Sequence, residues 1–248
     1  MATILFAWEL GGDYGHLARL LPLARELAAR GHRPVFVLRD LLGAEAILAP
    51  HGLTAFQAPL WLGQVSNLPE PISYPEMLMR FGFLNGRALT GICRAWRNLL
   101  ALLRPDLLVL DHAPTALLAS RGLGLPRLHC GDGFCIPPAE RPLPPFRWWQ
   151  KENLVRLQDS EQQVLATANT VLLDLGAPPL ARFSELFACD DQLFLSFAEL
   201  DHYPARSGGD FLGPVFALGQ GVEPNWPPGP GPRIFAYLRP ESAHFEAA

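Results

Sequence analysis

The 248-residue sequence predicts an α/β fold built on a Rossmann-like, doubly wound parallel sheet. Two observations predict it. Short apolar runs, typical of strands buried on both faces, alternate with segments whose apolar residues recur at helical spacing. The alternation is regular over the first 130 residues. Strands that are separated by helices in this way run parallel and are joined by right-handed crossovers.

The elements of the first half follow in order from these patterns. The apolar run Thr3–Trp8 is the first strand, and the helix after it begins beyond the glycines at 11–15 and ends at Gly31. Further strands are predicted at Pro34–Leu38, Thr54–Ala58, Asp106–Leu110 and Pro126–His129. Further helices are predicted at Leu41–Leu48, at 74–103 with an interruption near Gly82–Gly86, and at Pro114–Arg121.

The second half is less regular. Pro137–Phe146 is a proline-rich loop and Trp148–Ala168 a long polar helix, followed by strands at Val171–Leu173 and Gln192–Leu195. The Pro/Gly-rich residues 220–232 are typical of a semi-rigid linker. We therefore expect one domain at 1–219, a linker at 220–232, and at 233–248 the first strand of a second domain that has been cut away.

Composition excludes several classes of protein. Hydrophobic residues make up 49% and charged residues 18%, with a formal net charge of −4. These values fit a soluble globular protein with no attraction to nucleic acid or to an anionic membrane, and no apolar run is long enough to span a bilayer. The four cysteines lack metal-site spacing, which predicts free thiols in the cytoplasm and no metal.

Two polar residues mark a candidate site. In a doubly wound sheet the first and fourth strands are neighbours, and ligands bind at the carboxyl ends where the strand order reverses. His16 follows the first strand and Asp111 the fourth, so we expect them to meet in space. A carboxylate that fixes one ring nitrogen leaves the other free to accept a proton, which is typical of a general base and its orienting partner.

Structural roles remain open for each residue alone. His16 could be a partly exposed polar residue at a helix start, and Asp111 could cap the helix at Pro114. Asp40, after the second strand, is expected to cap the next helix and not to bind a ribose. The glycine pattern Gly12-x-x-Gly15 gives little support to a dinucleotide-dependent enzyme. We expect His129 in the core and His112 in a loop.

The residues resemble the two-domain, GT-B-type glycosyltransferases related to UDP-glucuronosyltransferases and bacterial macrolide glycosyltransferases. The resemblance covers nearly the whole chain. It is carried by the opening strand, the Gly15-His16 pair, Leu23–His32 before a strand, Pro105–Asp111, Gly124–Pro126, and Phe211–Pro214 before the proline-rich linker.

The resemblance implies an inverting transfer of a sugar from a nucleotide-diphosphate donor to an acceptor hydroxyl, with no cofactor and no metal. His16 stands where the family has its general base, and Asp111 where it has the supporting carboxylate. A small-molecule acceptor would be held by this domain, and the donor mainly by the C-terminal domain, without which the fragment would be inactive. We expect substrate contacts from Gly11, Gly12, Asp13, Tyr14 and Gly15 and, unless it only packs under the long helix, from Trp148.

Two features depart from the resemblance. Arg19 stands where many members have a proline, and the loop is richer in glycine than in many relatives. A glycine-rich loop is closer to the lipid-linked cell-wall glycosyltransferases, where it can face the donor diphosphate, and backbone N–H groups at a helix start suit phosphate. A stand-alone binding module without catalysis is the alternative from another class.

Overall fold

The computed structural model describes residues 1–12, 14–151, 153–215, 223–226 and 228–234. These residues contain seven strands: Thr3–Trp8 (β1), Arg33–Leu38 (β2), Thr54–Gln57 (β3), Leu107–Asp111 (β4), Arg127–Gly131 (β5), Asp191–Phe194 (β6) and Asp210–Phe211 (β7). They also contain six α-helices: Gly15–Ala29 (α1), Ala44–Leu48 (α2), Tyr74–Leu78 (α3), Gly86–Leu103 (α4), Pro114–Ser120 (α5) and Leu154–Asp174 (α6).

The strands form one parallel sheet in the order β3-β2-β1-β4-β5-β6-β7. From β1 the chain builds toward β3 on one side, then returns to place β4 on the other side of β1. The strand order therefore reverses between β1 and β4, where Trp8 is in register with Asp111. The predicted α/β fold with a doubly wound sheet is confirmed.

Each face of the sheet covers its own core. Leu5 and Ala7 of β1 point into the core beneath α3, α4, α5 and α6, whereas Phe6 and Trp8 point into the core beneath α1 and α2. Successive side chains of a strand alternate between faces, so a strand covered on both sides must be apolar throughout. This requirement explains the continuous apolar runs in the sequence.

The predicted strand at Val171–Leu173 is wrong. These residues form the last turn of α6, with Val171 and Leu172 buried and Leu173 exposed. Val171 lies seven residues after Val164 on the buried side of the helix, and a short apolar triplet cannot show by itself whether it continues a helix or starts a strand.

The helix boundaries differ from the predicted ones where side chains cap the backbone. The long helix starts at Leu154 and not near Trp148, because the Asn153 side chain accepts a hydrogen bond from Arg156 N at its first turn. Asp40 accepts from Leu42 N in a turn before α2, and the helix itself begins only after Gly43. Asp40 therefore caps a turn and not the predicted helix.

The chain divides into two compact units, Met1–Ala217 and Leu218–Ala248. Within the predicted linker, the described residues 223–226 and 228–232 contain no helix or strand. The strand predicted at 233–248 falls mostly outside the described residues. None of the described helices has the length and apolar character needed to cross a membrane.

Candidate active site

The fold brings His16 and Asp111 together across 95 residues of sequence. His16 is the second residue of α1, and Asp111 is the last residue of β4. Nδ1 of His16 lies 3.0 Å from Oδ1 of Asp111, whose side chain is fully buried, while the His16 side chain is 11% exposed. The pair lies at the reversal of strand order, the expected ligand position of such a sheet.

Aromatic rings hold the imidazole from two sides. Trp8, at the end of β1, stacks on His16 with 5.3 Å between ring centroids, and His112 lies at 5.7 Å. His112 is buried, and burial lowers its pKa to about 3, so it is neutral at pH 7. Although it lies in a loop, as expected, it packs against the candidate base.

Gly11 is the glycine that the site requires. It has φ +95°, and a Cβ there would overlap Nε2 of His16. The Arg39 guanidinium donates a hydrogen bond to the Gly11 carbonyl and so holds this turn in place. A Cβ at Gly12 or Gly15 would meet open space. Only the first of the predicted loop glycines therefore makes room for the imidazole.

The other residues predicted to contact substrate are Asp13, Tyr14 and Trp148. Asp13 lies outside the described residues. Tyr14 packs with the core beneath α1 and α2, where a Cβ on Gly43 would overlap its ring. Tyr14 therefore has a packing role, and its predicted substrate contact stays a prediction. Trp148 is 56% exposed and meets the similarly exposed Trp149 edge to face, at 5.8 Å between centroids.

Two charged residues that were not predicted as site residues, Arg19 and Asp132, lie beside the pair of His16 and Asp111. Arg19 lies one turn after His16 on α1, with Nε 3.7 Å from Oδ2 of Asp111 and a terminal nitrogen 3.5 Å from Asp132, the residue after β5. Burial works to lower the pKa of Arg19, but the two carboxylates raise it above its ordinary value. Burial opposes ionisation of Asp132, and Arg19 nevertheless lowers its pKa. The i, i+3 spacing could have indicated from the sequence that Arg19 lies on the same face of α1 as His16.

Glu9 is a second buried carboxylate that the sequence analysis missed. It accepts hydrogen bonds from Thr115 N at 3.0 Å, the Thr115 hydroxyl at 2.7 Å and Ala116 N at 2.6 Å. Burial raises its pKa to about 7. Glu9 thus caps α5 from the neighbouring strand end, so the alternative role of Asp111 as that cap is wrong.

We expect Glu9→Ala to lower the free energy of unfolding by about 3 kcal/mol, because two buried N–H groups and a hydroxyl lose their acceptor. Thermal unfolding should show a melting temperature lower by about 6–12 °C. The matched control is Glu26→Ala, which removes an exposed i, i+4 pair with Arg30 and should change stability by less than about 0.5 kcal/mol. Equal melting temperatures for the two variants would refute the capping role.

The site geometry suits proton transfer. When Nδ1–H of His16 donates to Asp111, Nε2 carries the free lone pair and lies next to Gly11. His129, which lies in β5, stacks on Phe187 and is fully buried, as expected of a core residue. Across the described ranges, no group of three or more His, Cys, Asp or Glu side chains could hold a metal ion.

No family model matches the chain, and no curated protein matches it. Among solved structures, the glycosyltransferase of kitacinnamycin is 22% identical with a TM-score of 0.59, and the match covers 93% of this chain and 55% of that one. SnogD from Streptomyces nogalater is 19% identical with a TM-score of 0.52, and the match covers 93% of this chain and 56% of SnogD. The spinosyn rhamnosyltransferase SpnG complexed with thymidine diphosphate is 16% identical with a TM-score of 0.52, and the match covers 91% of this chain and 53% of SpnG. The chain thus spans just over half the length of these structures and shares the α/β fold of glycosyltransferases.

Proposed function

We propose that this chain is the acceptor-binding half of an inverting glycosyltransferase that moves a sugar from a nucleotide-diphosphate donor to an acceptor hydroxyl. The hydrogen-bonded pair of His16 and Asp111 carries the proposal, because it lies at the reversal of strand order in a sheet whose fold is shared with glycosyltransferases. Fold alone would not indicate the chemistry.

In the proposed reaction the acceptor hydroxyl lies against Nε2 of His16. Nε2 takes the hydroxyl proton as the acceptor oxygen bonds to the anomeric carbon of the donor sugar. The bond from that carbon to the diphosphate oxygen breaks on the opposite side, so the anomeric configuration inverts and the nucleoside diphosphate leaves with the bonding electrons. Asp111 accepts from Nδ1–H and stabilises the imidazolium that forms.

An aromatic group beside the base suits a carbon-rich acceptor. Phe134 lies 5.6 Å from both Tyr74 and His112, and 5.3 Å from Phe146 and His202, between ring centroids. His112 joins this group to His16. We propose that the acceptor is a hydroxylated small molecule whose apolar part packs on this aromatic group.

The donor is proposed to bind mainly to a second domain. Support comes from the coverage, since the glycosyltransferases with this fold are almost twice as long as the matched part, and one of them is complexed with thymidine diphosphate. The glycine-rich loop could instead meet the donor diphosphate, as in the lipid-linked alternative. No resident cofactor takes part in the proposed reaction.

The test joins the chain to a donor-binding domain and screens nucleotide sugars against a panel of hydroxylated acceptors. Mass spectrometry should detect an acceptor that has gained one sugar residue, and NMR of the product should show the inverted anomeric configuration. Tight ligand binding without any transferred sugar across the panel would favour the stand-alone binding module. Tight binding of NAD to the chain would favour a dinucleotide enzyme.

A further inference from the structure

The Asp111 carboxylate is shared between two partners. Oδ1 faces His16 at 3.0 Å, whereas Oδ2 faces Arg19 at 3.7 Å and is buried without a hydrogen-bond partner among the described residues. The backbone of Gly131 packs closely against the Asp111 carboxylate, since a Cβ on Gly131 would lie 3.0 Å from Oδ1. The carboxylate is therefore confined between a group that changes charge and a permanent cation.

Arg19 and His16 contact the two oxygens of the same Asp111 carboxylate, so their charges lie near each other. Its side chain is only 18% exposed, so solvent screens its charge weakly. The cation attracts the Asp111 carboxylate, but it repels a second positive charge on the imidazole next to that carboxylate. The Arg19 guanidinium and a protonated His16 ring would therefore repel each other across the Asp111 carboxylate.

Asp132 balances Arg19 from the next strand. It accepts a long contact from an Arg19 terminal nitrogen at 3.5 Å and a hydrogen bond from Cys135 N at 3.3 Å. Asp132 thus offsets part of the Arg19 charge. Arg19 belongs to α1, Asp111 to β4 and Asp132 to the turn after β5, so three elements meet in one charge network.

We infer that Arg19 and Asp132 are positioning residues of opposite sign that set the pH range over which His16 can accept a proton. The inference rests on the proposed function of His16. Among the described residues, the other groups near His16 are His112, which is neutral at pH 7, the stacked Trp8, and Arg39, whose guanidinium is bound to the Gly11 carbonyl and is unchanged in every variant of the test. Neither His112 nor Trp8 carries a charge at pH 7 that could replace Arg19.

The test is an NMR titration of the His16 ring in the 248-residue chain, with its signals assigned by their loss in His16→Gln. Arg19→Gln should raise the midpoint of the His16 titration by about one pH unit, because a cation near the imidazolium is gone. Asp132→Asn should lower the midpoint, because an anion is gone. Arg19→Lys, which keeps the charge, should remain close to the wild type.

Opposite signs are the decisive result, because simple loosening of the site would move both variants in the same direction. Equal midpoints in wild type, Arg19→Gln and Asp132→Asn, or shifts of the same sign, would overturn the inference. If Arg19→Gln does not fold, Asp132→Asn still decides by the sign of its shift: a lower midpoint supports the inference, and an unchanged or higher midpoint overturns it.

The titration needs no substrate, so it separates this inference from the proposed function. In a protein that transfers sugar, the acidic limb of the pH profile of kcat/KM should move in the same direction as the midpoint in each variant. If no sugar is transferred but the midpoints shift with opposite signs, the charge network is supported and the proposed function fails. If sugar is transferred but the midpoints do not move, the proposed function is supported and the inference about the charge network fails.

Discussion

Replacing His16 with glutamine is expected to lower the rate of sugar transfer by about a thousandfold or more, in a protein that carries both this chain and a donor-binding domain. Glutamine can still hydrogen-bond to Asp111, but its amide cannot accept the acceptor proton near neutral pH. The loss should appear in kcat, measured by coupled detection of the released nucleoside diphosphate. Donor affinity, measured by calorimetry, should stay close to the wild-type value.

The control for this variant is His51→Gln. His51 is exposed after α2, so its replacement should leave both kcat and KM unchanged. Exogenous imidazole offers a second check if it can reach the space left beside Gly11, because a free base there could restore part of the activity. Turnover of the His16→Gln protein within a few-fold of the wild type would remove His16 from the mechanism.

The sheet could be predicted from the sequence because its strands are buried on both faces. The apolar run Thr3–Trp8 before the glycines is typical of a strand at the middle of a parallel sheet, and the structure places β1 between β2 and β4. The meeting of His16 and Asp111 follows from the same topology, because neighbouring parallel strands end at one edge. Apolar patterning and strand order were enough for this part of the site.

The remaining site residues could not be predicted, because their partners are distant in sequence and belong to no pattern. Glu9 caps a helix that begins 105 positions later, and no local capping rule extends between elements. Arg19 meets Asp132 across 113 residues, at an edge where the side-chain directions decide the contact. The sequence showed that Arg19 was unusual at its position but not which charges it faces.

The glycine loop illustrates the same limit within a single turn. The sequence suggested that Gly11, Gly12 and Gly15 all make room for a ligand. The structure shows a close approach only at Gly11, and the object that approaches is the imidazole. A sequence can indicate that a backbone must be bare, but the neighbour that requires it is defined only by the folded structure. The substrate contacts predicted for Gly12 and Gly15 stay predictions.

Asp111→Asn is expected to lower kcat by about a thousandfold while leaving the fold in place. The side chains have nearly the same shape, so the change removes charge and not volume. An asparagine that turns its amide N–H toward Nδ1 of His16 fixes the proton on Nε2, which then cannot accept one from the acceptor. An asparagine that keeps its oxygen toward Nδ1 still fails to stabilise the imidazolium with a negative charge.

Arg19 is expected to increase the effect of Asp111→Asn, because its positive charge also lies next to this carboxylate. With Asp111 neutral, Asp132 is the one carboxylate that the described residues still place against Arg19, and the imidazolium forms beside a positive charge that is less compensated. The matched control is Asp40→Asn, which lies after β2 at the same edge of the sheet and can keep its turn bond to Leu42 N. Asp40→Asn should retain wild-type kcat, and the double variant Asp111→Asn with Arg19→Gln should recover part of the activity lost by Asp111→Asn. An Asp111→Asn protein with kcat within threefold of the wild type would show that the carboxylate only supports the structure.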